Sequence, residues 1–229
     1  VSAETPTGPA AVPGIPAPGG LRFFLPWLGW VALGEFAGFL VPMSAEALIV
    51  ASGLGDLPGA GLLVVAGAGE GAILGAVQGW RLSRALPRLA RGRFTGLTAA
   101  AAALAWAFGM LPVVTVGLWI EWPVALTAVL GLVVGLALLA SIGVGQSFEL
   151  RRHLTGGGWI WVLATAAAWC AGLAAFFSIA PPLWTEGQSL PLVLGIGALG
   201  AAAMALSMAA ITGWAATSLL RRTGAGRAA

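Results

Sequence analysis

The chain has 229 residues, of which 59% are hydrophobic and 8% charged, with a mean hydropathy of +0.96; soluble domains are about a quarter charged, so an ordinary soluble fold is excluded. The net charge of +3 comes from 11 arginines and no lysine, all in short stretches outside the long apolar runs. Such placement signals membrane topology. It supplies no basic face with aromatic or polar readers, so nucleic acid is excluded as a partner. One cysteine, Cys170, and one histidine, His153, cannot make a disulfide framework, a thiolate cluster or a haem or zinc site alone, and no metal or cofactor is expected.

Residues 1–20 are rich in Pro, Ala and Gly and carry only Glu4, so they predict a flexible cytoplasmic tail with too little apolar area to offset ordering. No basic region precedes the first apolar run, and that run is long enough to span a bilayer, so it does not read as a secretory signal. Six spans follow: Leu21 to Met43, Ala60 to Leu82, Phe94 to Val116, Pro123 to Leu150, Trp159 to Ile179 and Leu190 to Leu220. The fold class is therefore an all-α, polytopic membrane helix bundle over 21–222, with a short C-terminal tail at 223–229. The fourth and sixth spans exceed a perpendicular crossing and imply tilt or protruding ends.

Arg22 opens the first span. Arg81 ends the second and Arg84, Arg88, Arg91 and Arg93 follow it, Arg151 and Arg152 follow the fourth, and Arg221, Arg222 and Arg227 the sixth. The loops after the odd spans carry Asp56, Glu121 and Glu186 instead, with Glu46 also assigned to the first of them. The positive-inside rule then puts the arginine side, and both termini, in the cytoplasm. Trp119, Trp122 and Trp184 at the outer boundary, with Trp27, Trp80, Trp159 and Trp161 at the inner one, read as aromatic belts. Glu149, Glu46 and Asp56 read as solvated interfacial charges, and the basic stretch from Arg81 to Arg93 is explained by orientation alone.

An internal repeat is visible. Gln78, Leu82, Arg84 and Leu86 recur sixty-eight residues later as Gln146, Leu150, Arg152 and Leu154, and Trp106 and Gly109 recur as Trp169 and Gly172. Three helical hairpins in parallel orientation account for both; apolar helices that end alike by chance are the alternative.

Glu35 and Glu70 are the candidate site, because a carboxyl inside a span costs about 2.5–3.5 kcal/mol on insertion scales and is usually paired, protonated or functional. Glu35 lies thirteen residues from Arg22 and Glu70 fourteen from Arg84, so each sits roughly 20 Å from the arginine edge. Facing each other, they would share a proton or hold a cation; the structural alternative is two neutral carboxyls bonding neighbouring helices. Gln78 and Gln146, within the inner leaflet, read as polar contacts between hairpins. Gly67, Gly71, Gly75 and Gly79 at i+4 spacing, with Gly34 and Gly38 on helix one and Gly131 and Gly135 on helix four, read as close helix packing. Ser141, Ser207 and Thr212 are expected to bond their own backbone. The run from Gly195 to Gly200 fits Gly-x-Gly-x-x-Gly but lies inside an apolar span with no strand before it, and it is rejected as a dinucleotide site.

Gly34-Glu35 with Gly38-Phe39, then Glu70-Gly71 and Gln78 before an arginine-rich turn, resembles uncharacterised six-span polytopic membrane proteins of high-GC, actinobacterial-type bacteria. The resemblance implies six spans in a bacterial plasma membrane and brings no activity. Three functions fit these residues: a small transporter or channel using Glu35 and Glu70 for a proton or cation, a structural or accessory subunit of a membrane complex, and an enzyme acting on a lipid or isoprenoid. The balance leans away from the enzyme. The partners expected are the lipid bilayer and, for the accessory reading, a second protein or a second copy.

Overall fold

The computed structural model describes residues 20–154 and 156–225. The tail predicted at 1–20 lies outside the described residues apart from Gly20, as do residues 226–229. Six helices account for nearly all the rest: α1 (Leu21–Ser52), α2 (Asp56–Ser83), α3 (Arg91–Trp119), α4 (Val124–Leu150), α5 (Gly157–Leu183) and α6 (Leu190–Ala225). Each is long and apolar enough to cross a membrane. The protein is thus an all-helical, multi-pass membrane protein in contact with the lipid bilayer.

The helices outrun the hydropathy spans. α1 continues through Pro42 to Ser52, which puts Glu46 on an exposed helical turn instead of in a loop. Proline removes one backbone donor without dictating a stop, and the apolar run Ala47 to Val50 carries the helix on. It ends at Gly53, whose left-handed φ of 64° lets its N–H return to the carbonyls of Ile49 and Val50. Asp56 opens α2, where its charge suits the positive helix end.

Short connections make sequential helices antiparallel neighbours. Backbones pack only between consecutive helices and between α1 and α6, so the six form a closed ring with no helix at its centre. The odd helices leave the arginine-bearing end and the even ones return to it.

A ring of six leaves an axial space that side chains must fill, since protein interiors pack at crystal-like density. At the arginine-bearing end they do. Phe23, Trp27 and Val31 of α1 pack with Leu82, Phe94, Leu150, Trp161 and Leu219, and Leu86 and Leu89 fold in from the α2–α3 connection. Trp27 and Trp161 are 0% and 1% exposed and meet edge to face at 6.2 Å. They are therefore core residues and not members of the inner aromatic belt. Trp159, 65% exposed, lies on the outer surface of the ring. Trp80 sits under the guanidinium of Arg84, 4.5 Å from its ring centre.

The α2–α3 seam is the tightest in the ring. A Cβ on Gly71 would stand 2.5 Å from Ala102 Cβ and 2.8 Å from the Thr98 carbonyl, and one on Gly75 2.7 Å from Thr98 Cβ. Gly67 lies flat against the Trp106 indole, and Gly79 faces Phe94. Gly34 and Gly38 pack α1 onto Val77 and the Glu70 backbone of α2. Gly131 and Gly135 have open space around them.

Candidate functional site

Two layers of side chains, eight residues apart along each helix, organise the axis. The layer nearer the arginines takes one polar or indole side chain from every helix: Trp27, Gln78, Thr98, Gln146, Trp161 and Thr212. All six are at most 2% exposed. Gln146 is the hub. Its Nε2 donates to Gln78 Oε1 at 2.7 Å and to Thr98 Oγ1 at 3.2 Å, and its Oε1 accepts from Trp161 Nε1 at 2.7 Å. Trp27 Nε1 donates to Thr212 Oγ1 at 3.2 Å, and that hydroxyl in turn donates to the Met208 carbonyl. The Gln78–Gln146 bond crosses from the first hairpin to the second, and Trp161 brings in the third. Ser207 and Ser141 bond their own helices.

Eight residues further from the arginines, the same helices present Glu35, Glu70, Trp106, Leu138, Trp169 and Met204. At 1.5 Å per residue this second layer stands about 12 Å above the first. All of it except Glu35 lines a cavity of about 380 Å³ reached by all six helices, whose other walls include Phe39, Met110 and Phe176. Glu70 is the one ionisable side chain among the lining residues.

Glu70 is fixed from two sides. Trp106 Nε1 donates to its Oε2 at 2.7 Å, and α1 leans on its backbone at Gly38, where an added Cβ would meet the Glu70 carbonyl at 3.2 Å. Gly67, one turn before Glu70 on the same helix, leaves the space in which the Trp106 ring lies. Glu35 is 2% exposed and close enough to Glu70 to feel its charge. Its Oε2 is buried with no hydrogen-bond partner. The indole N–H of Trp169, on α5, is also buried without one.

Outside this axis Glu149 departs from the sequence reading. It is 2% exposed, not a solvated charge. One oxygen accepts from the Ala90 backbone N–H at 3.1 Å and lies 3.1 Å from His153 Nε2, and Arg93 Nε stands 3.6 Å from the other. The cause is the α2–α3 connection, which Leu86 and Leu89 pull into the core and so lay over the end of α4. No grouping of His, Cys, Asp and Glu among the described residues could hold a metal ion. Cys170 is exposed on the outside of the ring.

The sequence singled out Glu35, Glu70, Gln78 and Gln146 but missed Thr98, Trp27 and Trp161 as members of the axial layer. A signal for them exists in the repeat. Stepping back eight residues from Glu35, Trp106 and Trp169 lands on Trp27, Thr98 and Trp161. The fold and this axis define a class, a ring-shaped six-helix membrane protein with a buried carboxyl on its axis. No protein-family model, curated protein or solved structure matches the chain.

Proposed function

We propose that the protein is a small membrane transporter in which Glu35 and Glu70 form the site for a proton or a cation. The observation that carries this reading is the cavity itself: all six helices line it, and Glu70 is its one ionisable group, with Glu35 beside it. A carboxyl that served only to glue two helices would be buried in their seam, with no open volume at its head. The layer centred on Gln146 closes the axis toward the arginines, so passage requires it to open, as a gate on one side of a central site does. The membrane is a bacterial plasma membrane, with both termini and the arginines on the cytoplasmic side.

The test is flux into proteoliposomes, with a pH-sensitive dye inside and imposed proton, sodium or potassium gradients. Glu70→Gln and Glu35→Gln keep the side-chain size and remove the charge, and each is expected to lower a flux that the unmodified protein supports by about tenfold or more, a loss on the scale of 1.4 kcal/mol. Fluxes identical in all three proteins would end the proposal.

The accessory-subunit reading loses part of its support. The glycine stripe of α2, which suited docking to a partner, is already covered by α3 of the same chain.

A further inference from the structure

The walls of the cavity discriminate among cations. An inorganic ion stripped of water needs several oxygen ligands, six or more for calcium and near-octahedral oxygen for magnesium. Here one carboxyl faces walls of indole and phenyl rings, thioethers and aliphatic side chains. Such walls suit a diffuse positive charge, because an organic ammonium gains attraction from aromatic faces within about 6 Å and loses little hydration on entry. The aromatic lining is also continuous. Phe39 of α1 reaches across the ring to Phe176 of α5, 5.8 Å between ring centres, and Phe176 meets Phe177 at 5.6 Å. A volume of about 380 Å³ is far more than a bare metal ion or a proton needs and falls within the range of small-molecule pockets.

We propose that this cavity binds a monovalent organic cation with an aromatic or branched apolar body, its positive centre set against Glu70 and its body against Trp106, Trp169, Phe39 and Phe176. This substrate class rests on the transporter reading and narrows it. Trp106 is then a binding residue with two roles, since it holds the Glu70 carboxyl by its N–H and contributes ring surface to the wall. Gly67 is a positioning residue, because any side chain there would displace the Trp106 ring.

The probes are tetraphenylphosphonium and, as its uncharged counterpart, triphenylphosphine oxide, titrated into the full chain in lipid nanodiscs with empty nanodiscs as the blank. The expected result is saturable phosphonium binding that is about tenfold or more weaker in Glu70→Gln, while binding of the oxide is weak and the same in both proteins. Trp106→Phe, which keeps a ring but loses the N–H, is expected to fall between them, and Trp169→Leu to weaken the phosphonium more than the oxide. Unchanged size-exclusion and circular-dichroism profiles identify the variants that are folded. Equal binding of both probes, insensitive to Glu70→Gln, overturns the inference, because the cavity would then select only apolar bulk. Absence of phosphonium binding alongside a Glu70-dependent proton or metal-ion flux overturns it too, and leaves the transporter reading standing. Glu70-dependent phosphonium binding without any carboxyl-dependent flux of protons, metal ions or the phosphonium itself upholds the organic-cation site and rejects transport.

Discussion

Gln146 sits among apolar helices where an unpaired amide is costly, and it meets that constraint with three bonds to three other helices. Leucine at this position would nearly conserve volume but strip the partners from Gln78 Oε1 and Trp161 Nε1. Each stranded buried group costs about 1–3 kcal/mol, less where the membrane-embedded unfolded state finds other partners, since measured interhelical bonds average about 0.6 kcal/mol. Gln146→Leu is therefore expected to lower the midpoint of thermal unfolding in detergent, and Gln78→Leu, which removes one bond, to lower it less. Equal losses would mean that Gln146 is not the hub. The four polar residues of these layers that the sequence flagged were legible because a Glu or Gln inside an apolar span stands out by type alone. Trp27 and Trp161 were not, because tryptophan near an arginine edge is as common in an interfacial belt as in a core. In a membrane both the lipid-facing and the core-facing sides of a helix are apolar, so periodicity does not say which way an indole points.

Among the helices, the six spans were readable from hydropathy and the ring neighbours partly from loop length, but the roles of the glycines were not. Gly71 and Gly131 carry the same signature, each with a glycine four residues on, yet one is sealed under α3 and the other stands open. Which stripe meets a partner depends on helix rotation, which spacing does not encode. The two positions give opposite expectations. Gly71→Ala drives its methyl against Ala102 and the Thr98 backbone, neither able to swing aside, and overpacking of this kind costs typically about 1–3 kcal/mol. Gly131→Ala meets nothing and should leave stability unchanged or raise it by up to about 1 kcal/mol, through the lower backbone entropy that alanine surrenders. Chemical unfolding in detergent measures both. A Gly131→Ala protein that is stable alone but falls out of a larger assembly in native membranes would revive the accessory-subunit reading at α4. The helix ends were missed for a local reason, as at α1, where Pro42 and Glu46 suggested an exit that the following apolar turn overrides.

For the molecule as a whole, the decisive asymmetry lies along the axis. The arginine-bearing half is closed by packed indoles and the Gln146 layer, and the opposite half holds the cavity, because its lining residues follow that layer on the odd helices and precede it on the even ones. The recurrence of both layers at eight-residue spacing on all three hairpins is the strongest support for a threefold repeat, which remains our proposal. Orientation then decides from which compartment the site is first met. Arg88 in the α2–α3 connection and Glu186 in the α5–α6 connection are both exposed and lie at opposite ends of the ring. In a Cys170→Ser background, which removes the native exposed thiol, a membrane-impermeant maleimide is expected to label Glu186→Cys in intact cells and Arg88→Cys only after lysis. That pattern would set the cavity toward the outside, so a ligand would meet the Glu70 layer before the Gln146 layer, which would be the inner gate. The reverse pattern would make the same layer an outer gate and turn the proposed transporter from one loaded outside to one loaded from the cytoplasm. It would also break the positive-inside rule for a chain whose arginines, in every connection between described helices, fall on one side.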